Sequence, residues 1–329
     1  MTQSLYRDTL KKAWNITKNN THLWFLGFLA ALLGNGGEYE FVINQFNKIS
    51  SGEWGFGGSL ITTLGTGGGN FVSFIDKLFN RAPDNYIYLG VITFIILVII
   101  WLVVSAQGAL IKSIADSGKP LRPTLFEQLS ASMKSFWPLL SIFISTRLWA
   151  LFIIMIIGLP VVGLLFYVIE PLKAFFLVLF VIGVPIFVIA SLITKYAIAY
   201  HMIDKKRWGN ALVSALQLFF SHWLVSLEMA FVLFIVNILA GAGIILLILF
   251  IAVPFIILVG VLTQMAYVLL AQIILGIGMF VLFVVLIVFG SALATFQYAS
   301  WTQLFLSITK NRQLSKIMRV IVGWREKYR

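Results

Sequence analysis

Cysteine is absent from this chain of 329 residues, and charged side chains are scarce, at 11% of the total. Without cysteine there is no disulfide framework, no thiolate nucleophile and no cysteine-ligated metal. Soluble domains are usually about a quarter charged and roughly half apolar, whereas this chain is 60% hydrophobic with a mean hydropathy of +0.98. A soluble protein of this composition would expose large apolar patches and aggregate. The composition therefore predicts an integral membrane protein.

The common sequence signatures of catalysis and nucleotide binding are also missing. There is no Gly-x-Ser-x-Gly, Walker loop, Rossmann fingerprint or His-Glu-x-x-His. The glycine-rich run Gly65–Gly69 lacks the Lys-Ser/Thr of a phosphate loop. The three histidines, His22, His201 and His222, lack the spacing of a metal-binding pair. We therefore expect no enzymatic activity, no cofactor and no metal site.

Long apolar segments predict an all-α, polytopic transmembrane bundle of about six spans, forming a single integral membrane domain over 1–329. About 20 apolar residues suffice to cross a ~30 Å hydrocarbon core. The predicted spans lie at 16–34, 86–111, 137–168, 172–201, 223–251 and 272–306. Between Leu224 and Ile308 only Glu228 is charged, so a break must lie near Pro254–Gln272. For 224–306, two spans and four shorter membrane segments are both open.

The first predicted span has the shortest apolar run, since only Leu23–Leu33 is continuously apolar. A run of this length resembles the core of a signal peptide. The segment before it is long and helical in pattern, and no small-x-small cleavage site follows it. We therefore expect an uncleaved span whose helix begins near Asn15.

Basic residues concentrate in alternate loops, and this sets the orientation, because Lys and Arg accumulate in short cytoplasmic loops. Four precede span 1, four lie between spans 2 and 3, three between spans 4 and 5, and seven after span 6, together 18 of the 24. We therefore expect cytoplasmic termini, cytoplasmic loops at 112–136 and 202–222, a basic cytoplasmic tail at 307–329 and an extracytoplasmic Gly-rich loop at 35–85. This distribution indicates a basic cytoplasmic rim rather than a nucleic-acid surface.

Three amphipathic segments precede the outward-going spans, which suggests a threefold internal repeat. They are Tyr6–Asn19, Thr124–Lys134 and Trp208–Ser221. The middle one opens with a Thr-x-x-Glu capping box. Two inward-going ends, Gly108–Asp116 and Tyr196–Asp204, also align with each other. We predict three helical hairpins, each introduced by a helix that lies in the cytoplasmic interface.

Three stretches also carry a resemblance to a known family. They are Tyr6-Arg7-Asp8-Thr9, the helix end Gly108–Asp116, and Ala199–Ala211. On these residues the chain resembles the YciC-like bacterial inner-membrane proteins, and it is similar to the membrane domain that accompanies some glycerophosphodiester phosphodiesterases. The resemblance implies a six-helix inner-membrane protein whose biochemical role is largely undefined. It implies a fold but no activity, because the chain has no room for a phosphodiesterase domain outside the membrane.

Three charged residues fall inside predicted spans, where charge is costly and often functional. Arg147 lies about ten residues into span 3, Lys195 near the cytoplasmic end of span 4, and Glu228 near the start of span 5. Because spans 4 and 5 are antiparallel, Lys195 and Glu228 would be able to meet as an ion pair. One hypothesis makes the three a substrate or proton-coupling site. In the structural alternative, Lys195 reaches the interface, Glu228 neutralises a neighbour and Arg147 caps backbone carbonyls exposed at a helix break.

Two functions follow as alternatives. The first is a non-enzymatic multi-pass protein of the bacterial inner membrane that interacts with membrane lipids or with an unidentified envelope protein. Its basic rim would attract anionic headgroups on the cytoplasmic side. The second is a transporter or lipid translocator with a polar site near Arg147, Lys195 and Glu228. The residues predicted to contact anionic lipid are Lys205, Lys206, Arg207, Lys310, Arg312, Lys316 and Arg319.

Overall fold

A computed structural model of the chain describes residues 5–32, 85–118, 124–165 and 179–311. Every regular element in these ranges is helical, which confirms the predicted all-α class. Most of the predicted loop at 35–85 and of the tail at 307–329 lies outside the described residues. The described elements are α1 (Leu5–Asn19), α2 (Leu23–Ala31), α3 (Asn85–Asp116), α4 (Leu125–Met133), α5 (Phe136–Leu165), a π-helical turn (Leu179–Gly183), α6 (Val184–Asp204), α7 (Trp208–Ser221), α8 (Trp223–Gln264) and α9 (Val268–Asn311).

Five of the described helical segments are long and apolar enough to cross a membrane. They correspond to the last five of the six predicted spans, and the chain is a membrane-embedded helical protein. The five segments are Gly90–Asp116, Phe136–Leu164, Val181–Asp204, Trp223–Gln264 and Val268–Thr309.

The first predicted span, 16–34, is interrupted where α1 ends and α2 begins. The Asn20 side-chain amide donates to the Ile16 carbonyl at 2.8 Å, and the Trp24 indole donates to the Thr17 carbonyl at 3.0 Å. The Ile16 carbonyl also accepts from the Asn20 N–H at 3.1 Å, so both side chains bond carbonyls of the last turn of α1, where such groups commonly need partners outside the helix. The prediction of one continuous helix from about Asn15 is therefore wrong. Within the described residues, α2 has only nine helical residues.

The apolar region 224–306 forms two uninterrupted helices, and Pro254 lies inside α8. The helix is interrupted at 265–267, within the predicted interval, where Ala266 adopts a left-handed backbone with φ of 63°. The Tyr267 N–H donates to the Leu262 carbonyl at 2.9 Å and closes the end of α8. Two long helices, rather than four shorter segments, therefore occupy this region.

The three predicted amphipathic segments are all helices, α1, α4 and α7. At the start of α4 the Thr124 N–H donates to Glu127 Oε2 at 3.1 Å, and the Glu127 N–H donates to Thr124 Oγ1 at 3.4 Å. This reciprocal pair is the predicted capping box. The aligned residues Asp116 and Asp204 are the last residues of α3 and α6. Among the described helices, the order of an amphipathic helix followed by two further helices thus occurs three times, while the interfacial location of the amphipathic helices stays a prediction.

The described residues form two compact units. The first contains α1, α2, α8, α9, the C-terminal part of α3 and most of α4. Within it, α9 packs against α1, α2 and α8. The buried Gln107 on α3 donates to the Ala30 carbonyl near the end of α2 at 3.2 Å. This amide satisfies a terminal carbonyl of a short helix, which apolar side chains are unable to do.

The second unit contains the N-terminal part of α3, α5, the π-helical turn, α6 and most of α7. Helix α5 packs against α6 and against the turn that precedes it. Thr194 on α6 donates its hydroxyl hydrogen to Thr146 Oγ1 on α5 at 2.8 Å. The π-helical turn ends eleven residues before Thr194, whereas α5 begins only ten residues before Thr146. A parallel arrangement would place the turn beyond the start of α5, yet the turn contacts α5. The two helices are therefore antiparallel.

Candidate functional site

Glu228 in the first unit is held by the N-terminal helix. The Tyr6 hydroxyl on α1 donates a hydrogen bond to Glu228 Oε2 on α8, and Tyr6 is buried. Trp14, two turns further along α1, contacts the Phe296 ring of α9 edge-on, with 6.1 Å between ring centroids. The carboxylate of Glu228 therefore links the amphipathic helix α1 to a membrane helix.

Arg147 and Lys195 lie in the second unit, each directly after one of the bonded threonines. Arg147 is exposed on α5, and Lys195 is half-buried within an otherwise buried stretch of α6. The Thr146–Thr194 bond places the two cations at one level of the α5–α6 pair. Helix α5 continues without interruption past Arg147, so the expected break that this arginine would cap is not found in α5.

The basic triplet Lys205–Arg207 forms the turn between α6 and α7. Lys205 adopts a left-handed backbone with φ of 54°, and its N–H donates to the Tyr200 carbonyl. Lys206 Nζ donates to Ser214 Oγ at 2.9 Å and lies 4.3 Å from the centroid of the Tyr200 ring. His201 Nδ1 lies 2.7 Å from the Lys206 carbonyl oxygen. Because a carbonyl only accepts, this nitrogen carries the hydrogen.

The triplet therefore divides into two kinds of residue. Lys206 is held by a hydroxyl and an aromatic face, a cation–π arrangement that positions the amine within the protein. Lys205 and Arg207 are exposed. Of the three predicted lipid contacts in this turn, these two present their charge outward.

Helix α7, which follows the turn, has one buried and one exposed apolar face. Ala211, Ala215, Leu218 and Phe219 are buried. Val213, Leu216 and Phe220 are exposed, and their i, i+3, i+7 spacing places them on a single stripe. An exposed apolar stripe directly after exposed basic residues is typical of a helix that lies on a membrane surface.

The predicted lipid contacts of the C-terminal tail are almost wholly outside the described residues. Lys310 belongs to the last turn of α9, but its side chain is not among those described. Arg312, Lys316 and Arg319 follow the described residues. These contacts stay predictions.

Several polar side chains that sequence reasoning did not single out connect helices of the first unit. Gln297 on α9 donates to Asn237 Oδ1 on α8. Thr295 lies 3.4 Å from the Leu23 carbonyl of α2 and also bonds its own Ser291 carbonyl at 2.8 Å. Their signal in the sequence is the presence of Asn, Gln and Thr inside apolar helices, where such groups commonly bond across helices.

Among the described residues no group of three or more His, Cys, Asp or Glu side chains is placed to hold a metal ion. The charged and polar side chains instead hold helices together or face outward. These features define a polytopic helical membrane protein with amphipathic helices alongside its spans. The chain matches no family model, no curated protein and no solved structure. The resemblance to YciC-like proteins therefore stays a prediction.

Proposed function

We propose that this chain is a non-enzymatic protein of the bacterial inner membrane, with both termini in the cytoplasm, that binds anionic phospholipid headgroups through α7 and the preceding turn. The observation that carries the proposal is the exposed stripe Val213, Leu216 and Phe220 beside exposed Lys205 and Arg207. The apolar stripe would enter the boundary between headgroups and acyl chains, and the two cations would face the phosphates.

Both the apolar and the basic residues of this surface favour its binding to an anionic membrane. Fully burying a Val, Leu or Phe side chain contributes about 1.5–3 kcal/mol, and a basic residue near an anionic leaflet adds about 1 kcal/mol. Lys206 is already engaged with Ser214 and Tyr200 and holds the turn in place. Lys205 and Arg207 flank Lys206 and are exposed just before α7.

The proposed orientation rests on the distribution of basic residues. The sequences after α3, α6 and α9 are rich in Lys and Arg, which favours the cytoplasmic side. The amphipathic surface would then lie on the cytoplasmic leaflet, which is the one that carries anionic lipid. An unidentified envelope protein is the alternative partner, and the transporter hypothesis stays a prediction.

Hydrogen–deuterium exchange in nanodiscs tests the proposal. We expect amides of 205–220 to exchange at least threefold more slowly in phosphatidylglycerol nanodiscs than in phosphatidylcholine nanodiscs. The double variant Lys205→Asn, Arg207→Gln should lose this difference, whereas the charge-preserving control Lys205→Arg, Arg207→Lys should keep it. Equal exchange of the wild-type protein in the two lipids would contradict the proposal.

A further inference from the structure

Arg147 lies on an exposed, largely apolar stripe of α5. Ile144, Leu148 and Leu151, which precede and follow it on the helix surface, are all exposed. The opposite face, which includes Ile142, is buried. An arginine that faces hydrocarbon without an anion is costly, so its position calls for a negatively charged neighbour in or at the bilayer.

The α5–α6 geometry places a second cation beside it. Successive residues of a helix turn by about 100°, because there are 3.6 residues per turn. Thr146 and Thr194 face each other across an antiparallel pair. In such a pair the residues that follow each facing residue turn towards the same side. Arg147 and Lys195 therefore project to one side of the α5–α6 pair.

The apolar length above these cations indicates their depth. From Leu148 to Leu164, α5 rises about 24 Å at about 1.5 Å per residue. This is close to the ~30 Å thickness of a hydrocarbon core. Ser141, Ser145 and Thr146 precede Arg147 and make the first part of α5 more polar. A hydrocarbon core that begins near Arg147 would place both cations close to the level of the lipid phosphates.

We propose that Arg147 and Lys195 bind the phosphate of a glycerophospholipid, whose acyl chains lie along Leu148 and Leu151. The arginine fork matches two phosphate oxygens, and the lysine ammonium supplies a point charge to the same group. This inference deepens the proposed lipid interaction and rests on it, but it assigns a discrete site on α5–α6 instead of the α7 surface. The shared chemistry would also fit inorganic phosphate, which the test separates from lipid.

Native mass spectrometry of the detergent-solubilised full chain tests the site. We expect wild-type protein to retain one phospholipid after delipidation and to regain it on titration with phosphatidylglycerol or phosphatidylcholine, since both carry the phosphate. Diacylglycerol, which lacks it, should not bind. The Arg147→Gln variant should bind at least tenfold more weakly. Lys195→Gln should lose several-fold and serves as the second variant if Arg147→Gln does not fold.

Matched controls separate this site from the α7 surface. Lys134→Gln removes an exposed lysine from the turn before α5 and should leave the retained lipid unchanged. The double variant Lys205→Asn, Arg207→Gln should also keep the retained lipid. Failure of the α7 proposal would therefore leave this site standing, and failure of this site would leave the α7 proposal standing. Undiminished lipid in folded Arg147→Gln and Lys195→Gln would overturn the proposal. Displacement of the lipid by 10-fold excess inorganic phosphate, or equal binding of diacylglycerol, would also overturn it.

Discussion

At Gly27, α2 approaches α9 closely enough that a side chain would not fit. A Cβ added there would lie 2.1 Å from Thr295 Oγ1 and 2.6 Å from the Ser291 carbonyl oxygen. The threonine side chain is able to rotate, but the carbonyl belongs to the backbone of α9. Membrane helices gain little from the hydrophobic effect when they associate, so they depend on close approach of small residues and on polar contacts.

The Gly27→Ala variant should therefore be destabilised by about 1–3 kcal/mol, as expected for overpacking. Thermal unfolding in detergent would measure this as a lower Tm. The matched control is Gly241→Ala in α8, since a Cβ there meets nothing within 4 Å. Alanine favours the helix, so the control should be neutral or slightly stabilised. Equal Tm values for the two variants would contradict the close packing of α2 on α9.

The hydrogen bond from Tyr6 to Glu228 connects α1 with α8. Tyr6→Phe removes the donor while it keeps the ring, and should cost about 1–2 kcal/mol. Amides of α1 should then exchange faster with deuterium, because α1 is less tightly held to α8. Tyr267→Phe is the control, since Tyr267 is exposed between α8 and α9. Unchanged exchange in α1 would show that this hydroxyl does not hold the helix.

Among the helices, α8 and α9 have unusual dimensions. Their 42 and 44 residues correspond to about 63 and 66 Å, roughly twice the thickness of a hydrocarbon core. Each has a buried part, near Met229 in α8 and near Thr295 in α9, and a long exposed apolar part. Within these mostly exposed parts, the buried Gly278 of α9 packs against the Phe255 ring of α8, where an added Cβ would lie 2.8 Å from Cγ.

This contact predicts different outcomes for two neighbouring glycines of α9. Gly278→Leu should push Phe255 aside and lower the Tm, at a cost of about 1–3 kcal/mol. Gly276→Leu adds the same side chain where nothing lies within 4 Å and should leave the Tm nearly unchanged. Equal destabilisation by both substitutions, measured in the same detergent, would argue against packing of α8 on α9 in this region.

The sequence predicted best those features of the helices that depend on local patterns. The amphipathic helices and the capping box at Thr124 follow from spacing over a few residues, and the structure confirms both as helical features. The break between α1 and α2 was missed, although Asn19, Asn20 and Thr21 offer a local signal. Such residues bond nearby backbone groups and favour helix ends. The apolar run that follows outweighed that signal.

Long-range pairings were beyond the sequence for a physical reason. A helix that is apolar on every side has no periodicity to show which face meets a neighbour. Thr295 contacts a carbonyl 272 residues away, and Gln297 contacts Asn237 at a separation of 60. The charged residues of the candidate site were visible in the sequence. Lys206 is held by Ser214 and Tyr200, whereas Lys205 and Arg207 are exposed. This difference depends on contacts that only the fold brings about.

Across the whole molecule, we expect hydrocarbon to cover the exposed apolar side chains of the long helices. Leu246 and Phe283 are 68% and 60% exposed, and Lys205 is also exposed. Maleimide labelling distinguishes water from lipid at these positions, because a membrane-impermeant maleimide reacts only with thiols that water reaches. The chain has no cysteine, so each introduced thiol is the only one present.

Maleimide labelling of single-cysteine variants in inside-out membrane vesicles therefore tests directly whether hydrocarbon or water surrounds each position. Lys205→Cys should react rapidly, whereas Leu246→Cys and Phe283→Cys should stay unlabelled until the membrane is dissolved and the protein unfolded. Labelling of Leu246→Cys and Phe283→Cys in intact vesicles at the rate of Lys205→Cys would contradict a membrane-embedded chain.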